Sequence, residues 1–288
     1  MRRNPVFVIL TIFLGLNILA WLAVYDLSRS RFLEVTFFDV GQGDAIFIET
    51  PKGNKILIDG GPDSALLEKL GENLPFWDRT IDLLILTHPE SDHLTGLLEV
   101  LRSYKVKNIL WTGILMDTAG FKKWEKLIKQ ENAKIYLAQA GQKIIISPKI
   151  VLEVLHPFEN LEGKSVKDVN NTSIVLRLDF LEISFLFTGD VYKSAEKELV
   201  EQGSNINSDV LKVGHHGSKT SSDEEFIKEV LPEMAVISVG KNNSYGHPHS
   251  ETLAILEKYG ISIFRTDLNG DIKIISDGIN YEVSNFQN

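Results

Sequence analysis

The chain has 288 residues, 43% hydrophobic and 24% charged, which excludes a disordered polymer and suits one large domain or two small ones. Its net charge of -9 excludes a large phosphate-binding surface by default, so contact with nucleic acid needs a local basic patch or bound cations. The absence of cysteine excludes disulfides, thiol nucleophiles and thiolate metal sites, and leaves His, Asp, Glu, Asn and backbone oxygens as metal donors.

The first element is apolar. No charged residue lies between Arg3 and Asp26, and the run from Val6 to Val24 is 19 residues long. That approaches the roughly 20 residues that cross a bilayer core and exceeds the usual apolar region of a cleaved signal. The expectation is an uncleaved transmembrane helix over about residues 5–25, with residues 1–31 as anchor and linker and 32–288 as the globular body. Arg2 and Arg3 precede the run, while Arg29 and Arg31 follow it beside Asp26 and Glu34. The balance of positive charge is close, and we place the body outside the cytoplasm.

The body opens with "FLEVTFFDV", "GQGDAIFIET" and "KILIDGG", separated by a glycine turn and by "PKGN". This reads as a strand meander. "SALLEKLGEN" follows as a short helix with Ser64 as its cap. "IDLLILTH" is nearly continuous in apolar residues, the mark of a strand buried on both faces, and "LTGLLEVLRSY" has helical spacing. Further on, "KIIISPKIVLEVLHP", "TSIVLRLDF" and "LEISFLFTGD" read as strands and "VYKSAEKELVEQG" as a helix ending at Gly203. "SDVLKVGHHGSKTS" is a strand entering a loop, and "SDEEFIKEVL" a helix capped by Ser222. "EMAVISVG", "SETLAILEKYG", "ISIFRT" and "GDIKIISDG" close the chain as strand, helix, strand and strand. Two β-rich segments, each followed by helices, fit two sheets packed face to face and flanked by helices. "DLNGD" reads as a turn, since its glycine comes too early for a calcium loop. "GQGD" lacks the Lys-Ser/Thr of a phosphate loop.

Six of the seven histidines fall in three short strand-end loops, "THPESDH", "GHHGS" and "YGHPH". His156, alone beside a proline, reads as structural. His88 and Glu90 stand two apart at a strand end, where their side chains point the same way. Asp92 and His93 follow as the chain turns into a helix. "TGD" ends another strand and adds Asp190, whose two oxygens suit a bridge between cations. Lys212, Lys219 and Lys241 flank these loops and suggest a basic rim in an acidic protein.

With "FFDVGQGDAIFIETPKGNKILIDGG", "LTHPESDHLTGL", "NNTSIVLRL", "FLFTGD", "LKVGHHGSKTS" and "YGHPH", the sequence resembles the metallo-β-lactamase fold superfamily. More closely it resembles the hydrolase domain of the ComEC competence family, over most of residues 33 to 285. The resemblance implies an α/β fold, an αββα sandwich with two divalent ions, zinc or manganese, between the sheets. By position, His88 and Glu90 would serve one metal, Asp92 and His93 the other, and Asp190 would bridge. His215 or His216 would complete the second site, Asn171 would stand in for a histidine at the first, and His247 would lie near the substrate phosphate or a metal. Asp44 and Asp59 would lie nearby, Asp59 in support. The family pattern has a histidine where Glu90 stands. Oxygen donors favour harder ions, so the first site is expected to take Mn²⁺ or Mg²⁺, or to bind weakly.

The function this implies is a metal-dependent phosphodiesterase, a nuclease on DNA that uses a metal-bound hydroxide, with Asp92, His216 and His247 as the catalytic set. The alternatives are a small phosphodiester (phosphorylcholine-type) esterase and a membrane-tethered DNA-binding protein that no longer cleaves.

Overall fold

The computed structural model describes the backbone of residues 5–27 and 32–285 and the side chains of 5–21 and 32–284. Helix α1 spans Pro5–Leu27. Its described side chains, Pro5 to Trp21, are exposed and almost wholly apolar. Among the described residues no helix is long and apolar enough to cross a membrane. The expected transmembrane anchor is corrected accordingly: the helix is present, but its described residues do not combine the length and apolarity of a membrane span.

Two sheets form the body. The first has eight strands, ordered Tyr281–Asn285, Ile272–Ser276, Leu33–Phe37, Ile46–Glu49, Lys55–Ile58, Leu83–Ile85, Asn108–Trp111 and Lys134–Leu137. Its five strands up to Lys55–Ile58 are antiparallel, which is the expected meander plus the C-terminal hairpin. From Lys55–Ile58 onward the pairing is parallel. The second sheet has seven strands, ordered Ser262–Arg265, Met234–Ile237, Val210–Lys212, Ile183–Phe187, Val175–Phe180, Ile150–His156 and Lys143–Ser147.

Alternation along the strands builds the layers. One face of each sheet turns inward, and Phe37, Ile48, Ile58, Leu176, Phe185 and Phe187 meet there with other buried residues. Phe187 packs 6.2 Å from both Phe37 and Phe185. The outer face of the first sheet is covered by α2 (Ala65–Asn73), α3 (Ser91–Ser103) and α4 (Ala119–Glu131), through side chains such as Leu70, Leu97 and Trp124. The outer face of the second is covered by α5 (Lys193–Glu201), α6 (Glu224–Val230) and α7 (Ser250–Lys258), through Leu199, Phe226 and Leu256. Parallel strands buried on both faces read as unbroken apolar runs, and Leu83–Ile85 is buried throughout. The result is the expected αββα sandwich.

Three local readings change. Ser64 occupies the cap position of α2 without a side-chain bond, and Asp63 Oδ1 instead accepts from Ala65 N–H. Asp223, rather than Ser222, caps α6 and accepts from Glu225 N–H. "DLNGD" is a single helical turn, Thr266–Asn269, ended by Gly270 at φ 67°.

One close approach fixes the sheet to α3. A Cβ on Gly96 would lie 1.9 Å from the Gly60 carbonyl oxygen, so only glycine lets this helix seat against "DGG". That contact sets where Asp92 and His93, in the first turn of α3, stand.

Candidate metal centre

Loops at the ends of strands from both sheets converge on one edge of the sandwich. Thr87–His93 follows Leu83–Ile85, "TGD" follows Ile183–Phe187, and Gly214–Gly217 follows Val210–Lys212. Strand ends are where such folds place their sites.

Asp92, His93, Asp190 and His216 each present one donor atom within 4.8 Å of the others. His216 Nε2 lies 3.3 Å from Asp190 Oδ2 and 3.4 Å from Asp92 Oδ2, and His93 Nε2 lies 3.3 Å from Asp190 Oδ2. Despite these distances neither Nε2 has a hydrogen bond, and Asp190 Oδ1 is likewise buried without one. We read this proximity as shared orientation toward one point rather than as direct pairing.

The opposite ring nitrogens explain the orientation. His93 Nδ1–H donates to Asp59 Oδ2 at 2.8 Å, and His216 Nδ1–H donates to the Ser238 carbonyl at 2.8 Å. His88 Nδ1 lies 3.1 Å from Thr87 Oγ1 and 3.2 Å from Ser173 Oγ. Thr87 Oγ1 already gives its proton to Asp59 Oδ2, and Ser173 Oγ gives its own to the Asn170 carbonyl. His88 Nδ1 must therefore be the donor, and its Nε2 is left bare and buried. A second partner that fixes the tautomer and aims the free nitrogen is how proteins prepare metal-ligating histidines. The partnerless His93 Nε2 and His216 Nε2, gathered with Asp190 and Asp92, fit a divalent cation, and His88 Nε2 lies bare and buried outside that group.

The electrostatics agree. Burial pushes the His88 imidazole down to about 3, so it is neutral. Burial also disfavours charge on His93 and His216, but Asp190 and the other carboxylates in contact outweigh it and hold both well above the ordinary histidine range. Burial opposes charge on Asp190 too, yet His216 and His93 keep it well below the usual carboxylate range. Asp59 goes the other way, raised because burial exceeds the help of His93. For that pair we place the shared proton on His93 Nδ1, where it lies between the two. The carboxylates of Asp44, Asp59, Asp92 and Asp190 thus need nearby positive charge.

Part of it is built in. Lys212 is buried, ion-paired with Asp44, 3.8 Å from Asp190 Oδ1, and donates to the Gly189 carbonyl at 3.2 Å. The basic rim read from Lys212, Lys219 and Lys241 is corrected: Lys219 and Lys241 are exposed, but Lys212 lies beneath the site.

The "GHHGS" loop resolves the choice between its histidines. His215 and His216 both have left-handed backbones, φ 48° and 54°, which costs on the order of 1–3 kcal/mol each. This turn sends the two rings in different directions. His216 joins the cluster, while His215 Nε2 stands 4.0 Å from Asp190 Oδ2 and 3.3 Å from Asn170 Nδ2. Asn171 is corrected: its Oδ1 accepts from Tyr192 N–H and the Ser194 hydroxyl, so that oxygen is engaged at the start of α5 and not offered to the centre. The neighbouring Asn170 fills the place beside His215.

Glu90 sits at the N-terminal cap position of α3, half-buried, with its carboxyl raised by burial and by Asp92. His247 lies at the outer edge, its ring 5.5 Å from His215 and 6.3 Å from His216. Burial and these imidazoles push it down to about 4. His156 is structural as read, donating from Nδ1 to the Ser173 carbonyl. Sequence reasoning missed Thr87, Ser173 and Ser238, because hydroxyls and carbonyls that hold a histidine carry no motif.

Comparison with known proteins follows the same lines. The profile of the metallo-beta-lactamase superfamily matches residues 38–241. ComE operon protein 3 of Bacillus subtilis (strain 168) is 36% identical over 257 residues, covering 83% of this chain and 32% of that protein. Competence protein ComA of Neisseria gonorrhoeae is 34% identical over 241 residues, again 83% of this chain and 32% of that protein. The chain spans about a third of the length of these curated relatives. Among solved structures, the metallo-beta-lactamase fold protein YhfI from Bacillus subtilis aligns with TM-score 0.58 and 14% identity, over 85% of this chain and 99% of that one, a likeness of fold alone. The resemblance to competence proteins read from "DVGQGDA" and "GHHGS" holds in these relatives, and the chain belongs to the metallo-beta-lactamase superfamily.

Proposed function

We propose that residues 32–288 form a metal-dependent phosphodiesterase that acts on DNA. The observation that carries this reading is the set of partnerless donors, His88 Nε2, His93 Nε2, His216 Nε2 and Asp190 Oδ1, gathered at one edge of the sandwich. His93, Asp92, Asp190 and His216 would hold one divalent ion, with His88 and Glu90 turned toward a second and Asp190 between. Bound there, such ions supply an activated water and neutralise charge on a transferring phosphoryl group.

The chain's own residues do the rest. Asp59 and the Ser238 carbonyl keep the two imidazoles aimed. Lys212 offsets negative charge behind Asp190. His247, neutral at physiological pH, offers a ring nitrogen at the open edge to a phosphate oxygen. Lys219 and Lys241 lend positive charge at the mouth. The kinship with competence proteins favours DNA as the polymer.

The test is to incubate the full chain with single-stranded DNA, double-stranded DNA and bis-p-nitrophenyl phosphate, with Mn²⁺, Mg²⁺ or Zn²⁺ in turn. DNA cleavage that disappears in Asp92→Ala supports the proposal. Hydrolysis of only the small ester points to a small-phosphodiester esterase, and binding without cleavage to a DNA-holding protein.

We also propose that the exposed apolar α1 rests against lipid and that the body lies outside the cytoplasm. Flotation of the full chain with vesicles, lost when residues 1–31 are removed, tests the first. Protease access to the body in intact cells tests the second.

A further inference from the structure

The "YGHPH" loop places an exposed aromatic ring at the mouth of the site. Tyr245 is 66% exposed, and its ring lies 5.7 Å from that of His247 at an interplanar angle of 23°. A nearly parallel ring that is backed by a histidine and open to solvent is an unfilled stacking surface.

The loop is held in place for this. Asn243 Nδ2 donates to the carbonyls of Gly240 and His247, at 3.0 and 2.7 Å. Its Oδ1 accepts from Tyr245 N–H and His247 N–H, at 3.2 and 3.0 Å. One side chain thus locks the backbone on both sides of the tyrosine, so a ligand ring meets a platform already ordered. On the other side of the histidines, Tyr192 packs 5.4 Å from His215. The two tyrosines bracket the row of rings formed by His215 and His247. Lys241, in the same loop as Tyr245, is exposed.

An open aromatic face with a cation beside a phosphate-handling centre is the chemistry of single-strand recognition: the base stacks and the backbone is drawn in by charge. A duplex offers no free base face, because its bases are already stacked on one another. We propose that Tyr245 is a stacking subsite for the nucleobase flanking the phosphate at the centre, so that the preferred substrate is a single strand. This rests on the phosphodiesterase reading above and adds a strand preference to it.

The experiment uses the full chain with Ca²⁺ as a divalent ion, and measures binding of labelled oligo(dT) and of the same strand made of abasic units. Charge is equal in the two strands, so the ratio of affinities reports stacking. Wild type should favour oligo(dT) by about 5- to 100-fold, the range expected of one base on one ring. Tyr245→Ala should bring the ratio close to one, and Tyr245→Phe should keep it. A preference unchanged in Tyr245→Ala, or no preference in wild type, overturns the proposal. Wild-type turnover of bis-p-nitrophenyl phosphate with Mn²⁺ is measured in parallel. Its absence with the base preference intact removes the phosphodiesterase reading alone, and its presence without a base preference removes the stacking subsite alone.

Discussion

The two halves of the candidate centre are built differently. Around Asp92, His93, Asp190 and His216 the donors are compact, mostly buried, and steered from behind by Asp59 and the Ser238 carbonyl. Around His88 the set is open: Glu90 is half-buried at a helix cap, and Asn171 is spent on α5. A site with its donors preset binds without reorganising, whereas one that must recruit a half-exposed carboxylate gives up affinity to order it. The first half should therefore hold its ion tightly and the second loosely, with a preference for Mn²⁺ or Mg²⁺.

The largest effect should come from the residue common to both halves. Asp190→Ala should lower hydrolysis by at least about 1000-fold and empty both positions, as read by metal content after gel filtration. Asp59→Asn acts directly on the compact half through His93, and reaches His88 only through Thr87. It should weaken the tight ion about 10- to 100-fold, the usual cost of losing a partner behind a ligating histidine, measured by chelator competition. His88→Ala should leave the tight ion in place and remove the weak one. Two Zn²⁺ per chain retained equally against chelator in wild type would falsify the contrast between the halves.

A smaller effect concerns the strap behind the histidine loop. Glu196 on α5 is buried and accepts the backbone N–H groups of Ser222 and Asp223, both at 2.7 Å. Burial raises its carboxyl to about 7 despite those two donors. A carboxyl raised on folding binds its proton more tightly in the folded state. It therefore costs stability as pH rises from about 4.5 to about 7, on the order of 3 kcal/mol over that window. Glu196→Gln should flatten that slope in urea unfolding followed across pH. The smallest change is expected of Asn171→Ala, which should cost about 1 kcal/mol through the lost hydrogen bonds at the start of α5 and leave metal content unaltered.

Much of this was legible in the sequence because it depends on pattern. Alternation and apolar runs give the two sheets, and the spacing of His88, Asp92 and His93 with "TGD" gives the cluster. What was not legible depends on backbone twist and depth. Nothing in "GHHGS" says that two successive left-handed residues part its rings. "NNTS" does not say which asparagine turns inward. Lys212 reads as surface charge because lysine is almost never buried unless paired, and its partner Asp44 lies far away in the chain. The apolar run of α1 is the opposite case: it is legible at once in the sequence, yet its described residues do not make a membrane span.

The buried ammonium of Lys212 has a practical consequence. Amine-reactive labels reach it only when the strand Val210–Lys212 separates from its neighbours, while Lys219 and Lys241 react in the folded protein. The ratio of acylation at 212 to that at 219 becomes a clock for opening of this edge, readable by mass spectrometry. An ion that binds only the closed form should slow that clock in proportion to its occupancy.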